Sequence, residues 1–134
     1  SIIPNLLVDG IADAIRDSKA LKLYVCNVMT QEGETEGYTV SDHIQALFSH
    51  SYPRLFPLCL TNSMSIPACI ARRYAQEGAE PIYHDTEKCR ALGVELIERP
   101  IASLENGLVR HNPGHLAHEL MTIYEEYTSQ KDPT

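Results

Sequence analysis

The residues best equipped for chemistry lie in one stretch, residues 26–39, which reads CNVMTQEGETEGYT. An apolar segment ends there in Asn27 and is followed by Thr30 and Gln31. These side chains carry hydrogen-bond donors and acceptors that suit a nucleobase or a sugar hydroxyl. The two glycines of the stretch allow the backbone to approach a ligand closely. A solvated acidic loop explains the same composition, so the spacing alone leaves both interpretations open.

Asn62 and Tyr74 are two further candidates for contact with a ligand. Asn62 ends another apolar segment, so it lies beside Asn27 if the two segments are neighbouring strands. The competing interpretation is that Asn62 caps the helix that follows. Tyr74 shares the apolar face of a predicted helix, where core packing is the default, although its hydroxyl could still emerge at the edge of the sheet.

A candidate phosphate site precedes the last predicted helix. Arg110 and His111 come directly before Asn112 and Pro113, which are typical of a helix start. A guanidinium beside exposed helix amides is a favourable setting for an anion. The alternative is an ordinary surface arginine next to a capped helix.

Metal binding and nucleophilic catalysis find little support. Of the three histidines near the carboxyl end, only His115 and His118 share helical geometry, and no third ligand accompanies them. The alternating acids of residues 32–36 could bridge a cation to substrate phosphates, but a solvated loop explains them better. No Ser, Cys or His occupies a recognisable nucleophile turn. We therefore expect no metal or cofactor within this chain.

Bulk composition narrows the class of partner. The chain has 134 residues, a net charge of −7 and no Lys/Arg cluster, so attraction to nucleic acid is not expected. No apolar run of about 18 residues occurs, which excludes a membrane-spanning helix. A phosphorylated ligand must be held by local donors, because the overall field repels it.

The four cysteines and the amino terminus bear on cellular location. The cysteines form no CxxC pair and lie in apolar stretches, so we expect buried thiols and a cytoplasmic, reducing compartment. The start, Ser-Ile-Ile-Pro-Asn, lacks the basic region of a signal peptide. Because it begins without methionine inside an apolar segment, we expect it to be a piece of a longer chain.

Helical and extended segments alternate along the chain. This alternation predicts an α/β fold, a three-layer Rossmann-like arrangement with a mostly parallel sheet between helices. Ligands of such sheets bind beyond the carboxyl ends of the strands, which here are the loops 30–39, 61–65, 84–86 and 101–111. Predicted helices cover residues 11–18, 41–51 with Ser41 as cap, 66–77, 86–92 and a last one from Asn112; predicted strands cover 23–29, 55–62, 81–84 and 94–100.

The sequence resembles the gluconeogenesis-factor family (YvcK-like proteins), which belongs with 2-phospho-L-lactate transferase to the CofD superfamily. The CNVMTQxGET block is long and unusual, which makes a chance match improbable. The resemblance rests on residues 1–8 with 10–15, residues 24–31 continuing through 33–39 and 42–43, residues 73–81, and residues 108–112. Together these stretches cover nearly the whole chain in the order of the family.

The resemblance implies a function and a set of site residues. YvcK-like proteins bind UDP-sugars such as UDP-N-acetylglucosamine and support growth on gluconeogenic carbon and cell-wall synthesis, with no reaction assigned. Tyr74 and Arg110 match the tyrosine and arginine thought to hold the sugar nucleotide. The expected ligand-binding set is therefore Tyr74, Arg110, Asn27, Thr30, Gln31 and Asn62, in a protein that we expect to form a homo-oligomer.

The resemblance also leaves alternatives and a missing part. Members of the family begin with a GGGTG-type turn and an acidic DDGGSSG-type segment, which this sequence lacks. We therefore expect residues 1–134 to be a single domain that forms the carboxyl-terminal half of a larger CofD-like unit, with Mg²⁺ handled elsewhere in the full-length protein. The alternative function is transfer of a phospholactyl group to a deazaflavin with Mg²⁺. A third hypothesis is that the domain is a scaffold whose loops contact another protein.

Overall fold

Residues 2–129 are described by a computed structural model, in which six helices and five strands follow one another. The helices are α1 (Ile3–Leu6), α2 (Ile11–Asp17), α3 (Val40–Ser49), α4 (Ala68–Gln76), α5 (Thr86–Ala91) and α6 (Pro113–Ser129). The strands are β1 (Leu23–Val25), β2 (Leu58–Asn62), β3 (Glu95–Arg99), β4 (Ala102–Glu105) and β5 (Leu108–His111). No helix among residues 2–129 is both long and apolar enough to cross a membrane.

The parallel sheet confirms the predicted α/β class. Its strand order is β1-β2-β3, and both pairs run parallel. Successive residues of a strand point to opposite faces, so β2 divides its side chains between two cores. Cys59 belongs to a cluster with Ile44 of α3 and Cys89 of α5, whereas Leu58 and Leu60 pack with Ile123 of α6. The sheet is thus the middle one of three layers.

The segment that joins β3 to α6 is not a loop, although a loop was predicted for residues 101–111. It forms an antiparallel hairpin of β4 and β5, in which Ser103 pairs with Arg110. The turn consists of Asn106 and Gly107, with φ values of 52° and 75°. Positive φ at both central residues is the requirement of the tight turn that Asn-Gly favours. The Asn-Gly dipeptide is typical of a β-hairpin. The prediction of a loop at residues 101–111 was therefore wrong.

The predicted strand at residues 81–84 is also wrong. Pro81 forms only an isolated antiparallel bridge with Met29. The flanking hydrogen bonds join Thr30 N to Glu80 O at 2.8 Å and Ile82 N to Val28 O at 3.0 Å. This segment therefore forms hydrogen bonds with the chain just after β1 and does not extend the parallel sheet. Pro81 disfavours a strand here because proline has no amide hydrogen to donate to a ladder.

The N-cap of helix α3 lies two residues before the expected one. Thr39 is the N-cap, since its hydroxyl accepts from Asp42 N and the Asp42 carboxylate accepts from Thr39 N, a reciprocal capping box. Ser41, the predicted cap, lies in the helix and donates to the carboxylate of Asp85 through both its amide and its hydroxyl. Burial alone would raise the pKa of Asp85, but the hydrogen bonds from Ser41 and Thr39 outweigh burial and hold that pKa below its usual range.

The cysteines follow the expectation of buried free thiols with one exception. Cys26, Cys59 and Cys89 are buried and unpaired. Burial, with a smaller contribution from Asp85, raises the pKa of Cys89 to about 12, so this side chain remains a neutral thiol. Cys69 is exposed on α4, which corrects the prediction for that residue.

Candidate functional site

A cavity of about 440 Å³ opens at the end of β1 and is closed on one side by the β4–β5 hairpin. We call it the hairpin cavity. Five of the six side chains that were predicted from the sequence to bind a ligand line this cavity. They come from parts of the chain up to 83 positions apart. Its lining residues are Asn27, Val28, Met29, Thr30, Gln31, Tyr74, Leu108, Val109, Arg110 and His111.

Tyr74 links two walls of this cavity. It lies on the last turn of α4, and its hydroxyl accepts a hydrogen bond from Val109 N at 2.8 Å. Beside it, the Arg73 guanidinium donates to Gly107 O in the hairpin turn. The predicted core face of α4 is only partly buried at Tyr74, so the hydroxyl emerges at the sheet edge and contacts β5.

Arg110 supplies the positive charge of the cavity. It is an exposed residue of β5, and its guanidinium forms no hydrogen bond or ion pair with any residue from 2 to 129. No carboxylate occurs among the described residues that line the cavity. His111, next to it, donates from Nε2 to Cys26 O at 3.3 Å and so holds β5 to the end of β1. A charged group without a protein partner is available to an anion.

The amides at the start of α6 were expected to bind an anion together with Arg110, but they lie outside the hairpin cavity. α6 begins at Pro113, and the Asn112 side chain already accepts from His115 N at 3.1 Å. Residues 112–114 do not line the hairpin cavity. Because Arg110 lies within β5 and not at the start of α6, this cavity presents the guanidinium without the helix terminus.

The segment after β1 contributes three polar residues to the cavity, which differ in burial and in hydrogen bonding. Thr30 is 2% exposed, and its hydroxyl accepts from Glu80 N at 3.0 Å, so it mainly holds the loop in place. Gln31 closes the loop through its amide, which donates to Thr35 Oγ1 at 2.9 Å, while its side chain is exposed. The Asn27 side chain is exposed and makes no hydrogen bond within residues 2–129.

Asn62 lies in a neighbouring cavity of about 490 Å³, which Asn27 also lines. The two asparagines are thus close, as their strand positions predicted. The Asn62 amide group donates to Met64 O at 2.9 Å, and its oxygen accepts from Met64 N, Ile101 N and Ala102 N at 3.0, 3.3 and 3.1 Å. Its hydrogen-bonding groups are therefore used to tie the end of β2 to the start of β4. A ligand contact by Asn62 stays a prediction.

Metal ligands do not converge in the described structure. Among residues 2–129, no three His, Cys, Asp or Glu side chains come together as a metal site would require. No chemical step is assigned to a metal here.

Comparison with known proteins identifies the family. The sequence profile described as 2-phospho-L-lactate transferase CofD matches residues 1–102. The chain therefore belongs to the CofD family, and the family membership inferred from the sequence is confirmed.

Proteins named gluconeogenesis factors are similar to this chain. The chain is 40% identical to the gluconeogenesis factor of Bacillus subtilis over 126 residues, which is 94% of this chain and 40% of the relative. It is 34% identical to the gluconeogenesis factor of Listeria monocytogenes, over 98% of this chain and 40% of the relative. The chain thus spans about two-fifths of the length of these relatives.

A solved structure shows the same fold. The crystal structure of a UPF0052 family member from Bacillus halodurans superposes with a TM-score of 0.85 at 42% identity. The match covers 89% of this chain and 38% of that one. The three-layer architecture is therefore that of a solved relative.

Proposed function

We propose that the hairpin cavity binds a phosphorylated small molecule of the sugar-nucleotide class, with a UDP-sugar as the first candidate. One observation carries this proposal: the guanidinium of Arg110, which has no partner among residues 2–129, lines a single cavity together with the polar segment 27–31 and Tyr74. An anion held by the guanidinium would have strand-end donors and acceptors within the same space.

Size and charge support this choice of ligand. A cavity of about 440 Å³ lies within the range of small-molecule sites, roughly 300–1,000 Å³. The net charge of −7 repels a diphosphate at long range, so binding depends on a local positive group. Arg110 meets this need, because its planar guanidinium can donate two parallel hydrogen bonds to phosphate oxygens.

The proposed role is that of a regulator that senses a sugar nucleotide in the cytoplasm, linked to carbon metabolism and cell-wall precursor supply. The name gluconeogenesis factor, carried by the similar proteins of Bacillus subtilis and Listeria monocytogenes, supports the link to carbon metabolism. The buried free thiols are consistent with a reducing compartment. Homo-oligomerisation is part of the same proposal and is tested by sedimentation.

Isothermal titration calorimetry tests the ligand class directly. We expect the full-length protein to bind UDP-N-acetylglucosamine and not N-acetylglucosamine, because the latter lacks the diphosphate that Arg110 would hold. Absence of binding to all UDP-sugars would overturn the proposal.

The family profile, which carries the name of a transferase, favours one second candidate function. This is transfer of a phospholactyl group from GDP-activated lactate to a hydroxyl of a deazaflavin, in which the diphosphate bond breaks, GMP leaves and the hydroxyl loses its proton. It is tested by incubating the protein with the deazaflavin, GDP-activated lactate and Mg²⁺, with the mass of the deazaflavin product as readout. Product formation would replace the regulatory proposal.

A further inference from the structure

A second compartment adjoins the hairpin cavity across Asn27 and Gln31, which line both. Its volume is about 290 Å³, and we call it the aromatic compartment. Its walls come from the start of the chain, the end of β1, the loop 31–38 and α3. Its lining residues include Tyr24, Asn27, Gln31, Glu34, Tyr38 and His43.

His43 is the unexplained group of this compartment. The residue is 7% exposed, and its Nδ1 lies 2.8 Å from Thr39 O. Because a carbonyl oxygen only accepts, Nδ1 carries the proton, and Nε2 of the neutral ring is an acceptor. Nε2 is buried and has no hydrogen-bond partner within residues 2–129. Leaving such an atom unpaired destabilises the protein, and a donor from a ligand would remove that cost.

The ring of His43 is held in place from the side. Tyr38 packs edge-on against it, with 5.4 Å between ring centroids and an interplanar angle of 83°. Such edge-to-face packing is a favourable aromatic arrangement. Together with the hydrogen bond to Thr39 O, it fixes the ring as a wall of the compartment.

The two compartments differ in charge. The aromatic compartment contains the carboxylate of Glu34 and neither lysine nor arginine among its described lining residues. Among the described residues that line it, the hairpin cavity contains Arg110 and no carboxylate. A phosphate is therefore attracted to the hairpin cavity and repelled from the aromatic compartment.

The available partners favour a sugar over a nucleobase in the aromatic compartment. Glu34 and the Nε2 atom of His43 can only accept hydrogen bonds. By contrast, Asn27, Gln31 and Tyr38, which also line the compartment, can donate as well as accept. A uracil presents a single N–H donor, so it cannot satisfy both acceptor-only groups. A sugar ring presents several hydroxyl donors and can satisfy both.

We infer that the aromatic compartment receives the neutral, hydroxyl-bearing ring of the ligand, and that His43 Nε2 accepts a hydrogen bond from it. This inference rests on the proposed function, since the phosphates of the same ligand occupy the hairpin cavity. Asn27 and Gln31 then contact the ligand between its charged and neutral parts.

The test compares two probes, UDP-N-acetylglucosamine and UDP, on the full-length protein and its His43→Phe variant. Phenylalanine keeps the ring and removes the acceptor. We expect the affinity for UDP-N-acetylglucosamine to fall about tenfold, equal to about 1.4 kcal/mol, while that for UDP is unchanged. His43→Gln, which retains a terminal acceptor, should restore part of the loss. His118→Phe, at an exposed position of α6 outside both compartments, is the matched control.

A second readout needs no variant and guards against misfolding. Long-range ¹H–¹⁵N NMR of the wild-type histidines should show the Nε2 resonance of His43 moving with UDP-N-acetylglucosamine and staying in place with UDP. Equal effects of the two probes, by affinity or by NMR, would overturn the inference while the proposed function stands. Binding of neither probe to the wild-type chain would overturn both.

Discussion

The hydroxyl of Tyr74 accepts a hydrogen bond from the backbone amide of Val109 at 2.8 Å, and this bond joins α4 to the hairpin strand that carries Arg110. The residue matched to sugar-nucleotide binding by resemblance thus also has a structural role. A variant at Tyr74 is expected to affect both stability and ligand binding, and the two effects have to be measured separately.

Tyr74→Phe is expected to lower the free energy of unfolding by about 1 kcal/mol, the usual net value of one hydrogen bond. It should also weaken UDP-sugar binding, because the hairpin loses a tether beside Arg110. Urea unfolding and calorimetry measure the two effects. Tyr83→Phe is the control, since Tyr83 is 70% exposed and its hydroxyl forms no hydrogen bond within residues 2–129. Equal stability of both variants would contradict the role of the Tyr74–Val109 bond.

Arg110→Ala should separate binding from stability. The guanidinium has no partner in the described structure, so the free energy of unfolding should change by less than about 0.5 kcal/mol. Binding of UDP-N-acetylglucosamine should weaken by roughly 1.5–3 kcal/mol, the scale of a charge-assisted contact. Arg72→Ala, at an exposed position of α4 outside the cavity, should leave the affinity unchanged. Unchanged affinity in Arg110→Ala would remove this residue from the site.

Asn62→Ala should destabilise the protein, because it removes the acceptor of Ile101 N and Ala102 N at the start of β4. We expect the free energy of unfolding to fall by about 2 kcal/mol, since the backbone amides lose their partner. Ser63→Ala is the neighbouring control, as its exposed side chain forms no hydrogen bond within residues 2–129. A loss no greater than that of the control would show that Asn62 does not hold the hairpin.

Asp85→Asn should make stability less dependent on pH in the acid range. The pKa of Asp85 is lower in the folded than in the unfolded protein, so its stabilisation is complete above the unfolded pKa and is lost as pH falls through the folded pKa. At pH 7 the variant should be less stable by about 2 kcal/mol, as expected for hydrogen bonds to a charged acceptor.

The difference between wild type and Asp85→Asn should narrow as the pH falls below about 4, the ordinary range of an aspartate. Urea unfolding at a series of pH values measures it. Asp9→Asn serves as control, because Asp9 is exposed and forms no hydrogen bond or ion pair within residues 2–129. A difference that is constant over this range would rule out the Asp85 carboxylate as the source.

Local sequence was sufficient for most of the elements. The apolar runs and helical spacings located β1, β2, β3 and the main helices, because burial on a sheet or helix face imposes a short period on the residues. The hairpin could have been found in the same way, since Asn106 and Gly107 are adjacent and determine their own turn.

The sequence by itself determined the α/β class, the family and five side chains that line one cavity. Only the tertiary structure decided which of them are available to a ligand. It showed that Asn62 is engaged by amides 39 and 40 positions away, that Arg110 has no partner in the described part of the chain, and that His43 Nε2 is buried without one. The physical reason is that periodicity reports which face of an element is buried, whereas hydrogen-bond partners distant in sequence are chosen by packing.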